Sequence, residues 1–276
     1  MKLVKNIFKF IALLAVLFLV AAIAIPIFYK DKIVDVLKDE TNKSLNAKVD
    51  FRDAELSLLR NFPAITLSLD NLTVDGVNEF AGTRLLTAPG IELELDFWQV
   101  WNNRESIPVK AFTIESPQVN VRVLKNGQAN WDISKAAPTP VNAEPVAYMV
   151  QMEHYSIMNG SVSYIDESLD FEMEMDNLNH NGSGDFSESI FDLDTDTKIG
   201  ALSVEYEGMT YLRQAKADLD AIINMNVNDL VFTLKDNVLN LNALTIKTDG
   251  KVDLNDEEYV MDLKFSSPQN SFKNLW

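Results

Sequence analysis

From residue 47 onward apolar side chains recur at every second position, and this alternation restricts the chain to sheets with one oily side. The run Ile91-Glu92-Leu93-Glu94-Leu95-Asp96-Phe97 sends four apolar side chains one way and three acids the other. Val119-Asn120-Val121-Arg122-Val123 and Phe171-Glu172-Met173-Glu174-Met175-Asp176 repeat the pattern, and Leu67–Asp70 and Leu239–Leu241 carry weaker versions. Asp75-Gly76, Asn126-Gly127, Asn159-Gly160, Asn181-Gly182 and Asp249-Gly250 read as turns, with Asn126-Gly127 joining 119–124 to 129–133 in a hairpin. An apolar face left wet costs about 25 cal/mol per Å². A second layer or a ligand must therefore cover it. Past residue 46 the only helical candidate is the weakly amphipathic stretch Tyr211 to Ile222, so the cover is another sheet or a bound apolar molecule. The first gives a sandwich or barrel and the second an open groove; composition alone favours the sandwich.

The N-terminal end obeys different physics. Phe10 to Phe28 is 19 residues without a charged or polar side chain. At 1.5 Å per residue such a helix spans about 28 Å, the thickness of a bilayer's hydrocarbon core. Lys2, Lys5 and Lys9 precede it with no acid among them, which predicts a cytoplasmic N-terminus and a body on the far side. Ala22-Ile23-Ala24 has the spacing of a signal-peptide cleavage site, but the apolar run is longer than a signal's, which favours a retained anchor. The expected organisation is a cytoplasmic tip and transmembrane helix over 1–29, with residues 10–28 in the membrane. A short juxtamembrane helix follows over 30–46, closed by Asn46 in a left-handed conformation. A first β module spans 47–135, a Pro-rich linker or loop 136–147 (Pro138, Pro140, Pro145), and a second β module 148–276. Phe272, Leu275 and Trp276 close the sequence without a cap or polar tail, and the second module is expected to continue beyond them.

Charge and composition narrow the function. Residues 1–46 hold seven Lys against four acids, whereas the remaining 230 hold 17 Lys and Arg against 37 acids. A body so acidic repels nucleic-acid phosphates and anionic headgroups, so any lipid it meets is met through acyl chains. There is no Cys, hence no disulfide and no thiolate metal site. The two histidines, His154 and His180, have no metal spacing and read as surface or satisfied core residues. Nucleophile-elbow, Walker and dinucleotide motifs are missing. Asp192-Leu193-Asp194-Thr195-Asp196 opens like a calcium loop, but Thr197 stands where Gly is required and Ser203 where Glu is. On a strand these three Asp line one solvated face. The expectation is no enzyme, no metal and no cofactor.

Three stretches in order carry a family likeness. The first is Leu56-Ser57-Leu58-Leu59-Arg60-Asn61-Phe62-Pro63-Ala64-Ile65, running on to Asp75-Gly76. The second is Phe80-Ala81-Gly82 with Leu85, leading into Ile91–Phe97. The third is Ser116-Pro117-Gln118-Val119-Asn120-Val121, then Asn126-Gly127 and Asn130-Trp131-Asp132-Ile133. Behind an anchor and a short helix, this order resembles the AsmA family of bacterial envelope proteins. The stretch 157–166 looks like the next unit of that family, and 170–276 matches more loosely. Family members are usually longer, which marks the chain as an N-terminal fragment. The resemblance implies a mainly β fold, a long twisted antiparallel sheet forming a groove or partly open barrel, and it reverses the preference for a sandwich. It implies a single-pass protein of the inner membrane with a periplasmic body, placed among bridge-like lipid transfer proteins and tied to outer-membrane assembly. Its partners would be phospholipid acyl chains, the inner membrane and outer-membrane assembly proteins. The apolar stripe proposed to meet lipid is Ile91, Leu93, Leu95, Phe97, Val119, Val121, Val123, Phe171, Met173 and Met175, with Met173 and Met175 suited to mobile chains. The alternative is a closed β-sandwich scaffold that binds envelope proteins by strand addition, with Trp98 and Trp101 as contact candidates.

Overall fold

The computed structural model describes residues 34–35, 38–39, 41–96, 109–135, 152–255 and 259–267. The expected transmembrane helix, the Pro-rich segment, Phe97, Trp98, Trp101 and the last nine residues lie outside that set. Among the described residues no helix is long and apolar enough to cross a membrane. Residues 34–35, 38–39 and 41–44 are helical. The helix does not end on a left-handed Asn46. Leu45 instead bridges Ser134, and the Asn46 amide donates to the Ile133 carbonyl at 2.6 Å.

Thirteen strands follow among the described residues. They are β1 (Ala47–Asp50), β2 (Asp53–Asn61), β3 (Ala64–Gly76), β4 (Arg84–Leu95), β5 (Val109–Glu115), β6 (Gln118–Val123) and β7 (His154–Asp166), then β8 (Phe171–Ser183), β9 (Ile190–Tyr206), β10 (Met209–Asn226), β11 (Val231–Leu241), β12 (Leu244–Asp253) and β13 (Val260–Ser266). All belong to one sheet in the order β1-β3-β4-β5-β7 and onward to β13, with β2 extending β1 along β3 and β6 extending β5 between β4 and β7. The described strands include no second sheet, and the two ends do not meet to close a barrel. The expected all-antiparallel sheet is corrected at one joint. β7 runs parallel to both β5 and β6, making the sheet mixed. A parallel step needs a long return connection, and residues 124–153 supply it. The Asn126-Gly127 turn forms inside that connection, but its second arm is a single bridge, Val123 to Ala129, rather than a strand. The stretch Tyr211 to Ile222 is no helix; it lies within β10.

Strands of 13 to 18 residues are too long to keep one pleat register on a strongly twisted sheet. The chain solves this by switching the alternation partway along each long strand. In β3 the inward apolar positions are Leu67 and Leu69, then Leu72 and Val74, and the switch falls on Asn71 at φ 51°. Phe112 and Ile114 give way to Val119 and Val121 across Ser116 (φ 44°), Tyr155 and Ile157 to Val162 and Tyr164 across Asn159 (φ 52°), and Met173 and Met175 to Leu178 and His180 across Asn177 (φ 53°). Gln214 at φ 49° does the same in β10, and Gly90 and Gly200 stand at the switch in β4 and β9. An extra residue at a bulge returns the following apolar side chains to the original side and bends the strand. Leu67 and Leu72, on either side of one switch, accordingly share one core cluster.

Side chains repair the ladder where these insertions break it. The Asn159 amide donates to Asn179 Oδ1 at 3.0 Å, Gln214 N to Ser203 Oγ at 3.1 Å, and Ile222 N to Asn237 Oδ1 at 2.8 Å. Asn159-Gly160, Asn181-Gly182 and Asp249-Gly250, expected as turns, all lie inside strands. The left-handed tolerance that makes Asn a turn residue serves a bulge equally well. Gly182 has another purpose: a Cβ there would collide with the Tyr155 ring, its neighbour across the β7–β8 pair.

Asn177 is exposed and left-handed, so its replacement isolates the backbone term. Asn177→Val is expected to lower unfolding free energy by about 1–2 kcal/mol, whereas Asn177→Gly stays within about 0.5 kcal/mol of the parent in urea melts.

Candidate functional site: the uncovered side of the sheet

The cross-strand registers show one side of the sheet to be mainly apolar across its described strands. Leu69 pairs Ile91, Ile91 pairs Ile114, and Ile114 lies beside Ile157. Beyond the line of bulges Val119 lies beside Val162, which pairs Met175, which pairs Leu202. Towards the far end Leu219 pairs Leu239 and Leu239 pairs Ile246, while Phe232 pairs Val252 and Val252 pairs Met261. The reverse side carries Glu92 and Glu94, then Glu172, Glu174 and Asp176, then Asp192, Asp194 and Asp196 on alternate positions of β9.

Among the described residues, cover exists only at the N-terminal end. Phe51, Leu67, Leu72, Val74, Leu85, Ala88 and Ile91 form a buried cluster, with Val34 and Leu45 from the helical segment and Ile133 from the connection packed on it. Asn42 fastens that cover. Its Nδ2 donates to both the Lys38 and Val49 carbonyls and its Oδ1 accepts from the Val49 amide, all at 2.8 Å. Lys38 pairs Asp50 at 2.6 Å, and this hydrogen bond holds the Asp50 carboxyl below its ordinary range. Lys135 Nζ caps the helix end, donating to the Asn42 and Lys43 carbonyls at 3.0 Å. Past β6, by contrast, the buried apolar side chains are Phe191, Ala215, Ala217 and Ala221, and the larger ones are half-buried or exposed.

The expected stripe therefore divides. Ile91 and Leu95, each 8% accessible, and Val123 are buried, and Leu93 packs against the sealed cluster. Val119, Val121, Phe171, Met173 and Met175 are half-buried and come together across β6, β7 and β8 through Val162 and Tyr164. Phe97 lies outside the described residues. Sequence reasoning missed Leu202, Val204, Leu219, Ile223, Leu234 and Phe232 on the same side, because β9 to β11 break their alternation at Gly200, Gln214 and Asp236. A phase change at an Asn, Asp or Gly within an alternating run was the available signal.

A linked polar group lies on the apolar side. Tyr155 Oη lies 3.0 Å from His180 Nε2, and His180 Nδ1 lies 2.7 Å from Thr197 Oγ1. Phe112 stacks on the Tyr155 ring at 5.5 Å and Phe186 meets its edge at 6.2 Å. Burial lowers the His180 pKa below its usual value, with the Asp196 charge opposing the shift, and burial raises that of Tyr155. His180 is thus a satisfied, partly buried histidine, and His154 is exposed at the start of β7. On the acidic side Asp192 is held by Lys235 Nζ at 2.8 Å and Asn224 Nδ2 at 2.7 Å. The extended backbone of β9 gives these aspartates no calcium-loop turn. Carboxylate oxygens of Asp196, Asp218 and Asp220 come within 4.8 Å of one another, a set able to attract a cation, with Lys198 Nζ already 3.2 Å from Asp196. Their mutual repulsion and desolvation raise the Asp220 pKa, desolvation foremost.

A single open sheet, oily on one side and acidic on the other, sealed at its N-terminal end and bare beyond among the described residues, defines a β-protein whose distinguishing surface is that oily side. The sequence model of the AsmA family matches residues 1–275, and the chain belongs to the AsmA family. The match takes in residues 170–275, where the likeness in the sequence is loosest. No curated protein matches the chain.

The uneven cover predicts uneven mutational costs. Leu67→Ala, in the sealed cluster, should lose about 2–5 kcal/mol of stability, and Phe232→Ala, on the bare side, less than about 1.5 kcal/mol, read from urea midpoints at constant m. A histidine pKa lowered by folding contributes stability that is complete above the unfolded value and lost as pH falls through the folded one. The urea midpoint should therefore drop between pH 7 and pH 5, and His180→Gln should remove part of that drop while His154→Gln leaves it.

Proposed function

We propose that the chain is a single-pass inner-membrane protein, anchored through residues 10–28 with its N-terminus cytoplasmic, whose periplasmic sheet supports phospholipid movement between membranes or outer-membrane assembly. The observation that carries this reading is the mainly apolar side that runs across the sheet and that, among the described residues, is covered by protein at its N-terminal end only. From β7 to β13 the bare part crosses seven strands, roughly 30 Å at strand spacing. Acyl chains laid against it would remove apolar area from water at about 0.8 kcal/mol per buried methylene, while headgroups stay at the rim in solvent.

No bond is made or broken in such a role, and the residues act by shape and polarity. Met173 and Met175, with flexible thioether side chains, offer an adaptable contact. The carboxylates of β8 to β10 keep the reverse side wetted and repel anionic headgroups from it, which directs a lipid to the apolar side. Membership of the AsmA family supports the same reading.

Photo-crosslinking amino acids at Met173, Leu202 and Ile223 should capture phospholipid in cells, and the same probes at Glu174 and Ser203, on the reverse side, should not. Equal labelling of both sides, or none on either with no lipid in extracts of the purified full chain, would remove the transport reading.

A further inference from the structure

The hairpin of β2 and β3 turns through Leu58-Leu59-Arg60-Asn61-Phe62-Pro63. Leu59 is 42% and Phe62 66% accessible. Around this tip the acids of the sheet are answered by neighbours. Arg60 Nη1 lies 2.6 Å from Glu92 Oε1, and Asn61 Nδ2 donates to Glu94 at 2.9 Å. Lys110 Nζ lies 3.4 Å from Asp96 and 3.6 Å from Glu153. Leu169 and Met209, at the opposite ends of the strands, are as exposed, at 59% and 61%, but stand beside Asp170 and Glu207. The β2–β3 tip can therefore approach anionic headgroups with its nearest carboxylates compensated, whereas the opposite ends would bring acids against them.

The helical segment gives the tip a direction. β1 runs from Ala47, opposite Gly76, to Asp50, opposite Thr73, and the chain continues through β2 to Asn61 beside Ala64. The helical residues run the other way. Asn42 is bonded to Val49, while Lys38 pairs Asp50 and lies 4.9 Å from the centre of the Phe51 ring. Followed back towards the N-terminus, the chain thus heads for the tip. We propose that the tip rests in the headgroup layer of the membrane that holds residues 10–28, an inference that takes those residues as the anchor. Val34 lies about 6 Å closer to the tip than Lys38 at helical rise. Asn61 lies about 35 Å beyond Asp50 at strand rise. The link from Phe28 to Val34 reaches about 20 Å at full extension. It is shorter than the remaining run of β2, about 30 Å by the same spacings, so a sheet hanging with that end to the bilayer touches it. Tethering keeps the bilayer at high local concentration, and two apolar side chains then suffice for contact. The tip fixes the angle of the sheet to the bilayer, which one helix and a short link would leave free.

The test uses the full chain reconstituted into vesicles of phosphatidylethanolamine with a minority of phosphatidylglycerol, a fraction of the lipids carrying a nitroxide quencher near the headgroup. The chain has no Cys, so Leu59→Cys and Met209→Cys each take a single environment-sensitive fluorophore. The label at residue 59 should shift to the blue and lose most of its emission to the quencher, and the equally exposed label at residue 209 should do neither. Adding Phe62→Asp to Leu59→Cys should restore most of the emission with unchanged circular dichroism. Flotation with the vesicles after an alkaline wash reads the anchor separately. A chain that floats while the residue 59 label is quenched no more than the residue 209 label overturns the tip contact and leaves the anchor standing. A chain that does not float overturns both.

Discussion

Everything in this fold depends on holding apolar side chains to one side of a single sheet across strands longer than a pleat register can follow. A two-layer protein can tolerate a strand that drifts, because a second layer covers whichever side turns oily. Here no second layer exists among the described strands, so each phase error would expose apolar side chains on the acidic surface. The left-handed residues Asn71, Ser116, Asn159, Asn177 and Gln214 are the correction. Each costs some backbone strain, and where the ladder is broken side chains return the bond, Asn179 at Asn159, Ser203 at Gln214 and Asn237 at the further bulge beside Ile222. The same bulges increase local twist, so phase control and curvature have a common origin.

The sealed end and the bare remainder follow different energetics. Around Phe51 and Ala88 the protein has an ordinary core, in which each buried large side chain contributes about 1.5–3 kcal/mol. Beyond β6 the inward positions that are buried are mostly small, Ala215, Ala217, Ala221 and Thr195. There, cohesion comes from the ladders of long antiparallel pairs and from rings such as Phe112, Tyr155 and Phe186 that pack along the sheet rather than across a layer. Without cysteine no crosslink supplements them.

Much of this was legible in the sequence, and the misreadings have common physical roots. Ile91–Leu95 and Phe171–Asp176 announced strands because their alternation is unbroken, and both lie in strands. Asn159-Gly160 reads as a turn because backbone tolerance at φ > 0 does not say whether the chain reverses or only bulges, and Asn181-Gly182 reads as one because its glycine, needed for the close approach of the Tyr155 ring, is also a turn residue. β10 imitates a helix for a related reason: its switch at Gln214 leaves Leu212 and Ala215 three apart, a helical step, before the period of two resumes. The parallel joint at β7 left no trace, since alternation records which side a residue faces and not the direction in which its strand runs. Openness itself is written nowhere, because Ile91 and Met173 sit in equivalent patterns and only the helix and the 129–135 connection distinguish them.

The bare side also links occupancy to stability. A surface that water covers at a cost destabilises the lone protein in proportion to its area, and any apolar ligand held there by the folded state alone adds RT ln(1 + [L]/Kd) to the unfolding free energy. A continuous oily surface built from half-buried Val, Leu, Ile and Met offers many nearly equivalent positions and no deep well, apart from the Tyr155–His180–Thr197 group, which disturbs the uniformity in one place. Many shallow positions in series let an apolar chain be retained without being trapped, because moving by one strand exchanges one set of contacts for a similar set. A closed sandwich built from the same residues would bind its own second layer and leave nothing to exchange. The lack of a cover beyond β6 among the described residues is therefore the structural counterpart of movement in the lipid reading, and the acidic reverse side would confine that movement to one surface.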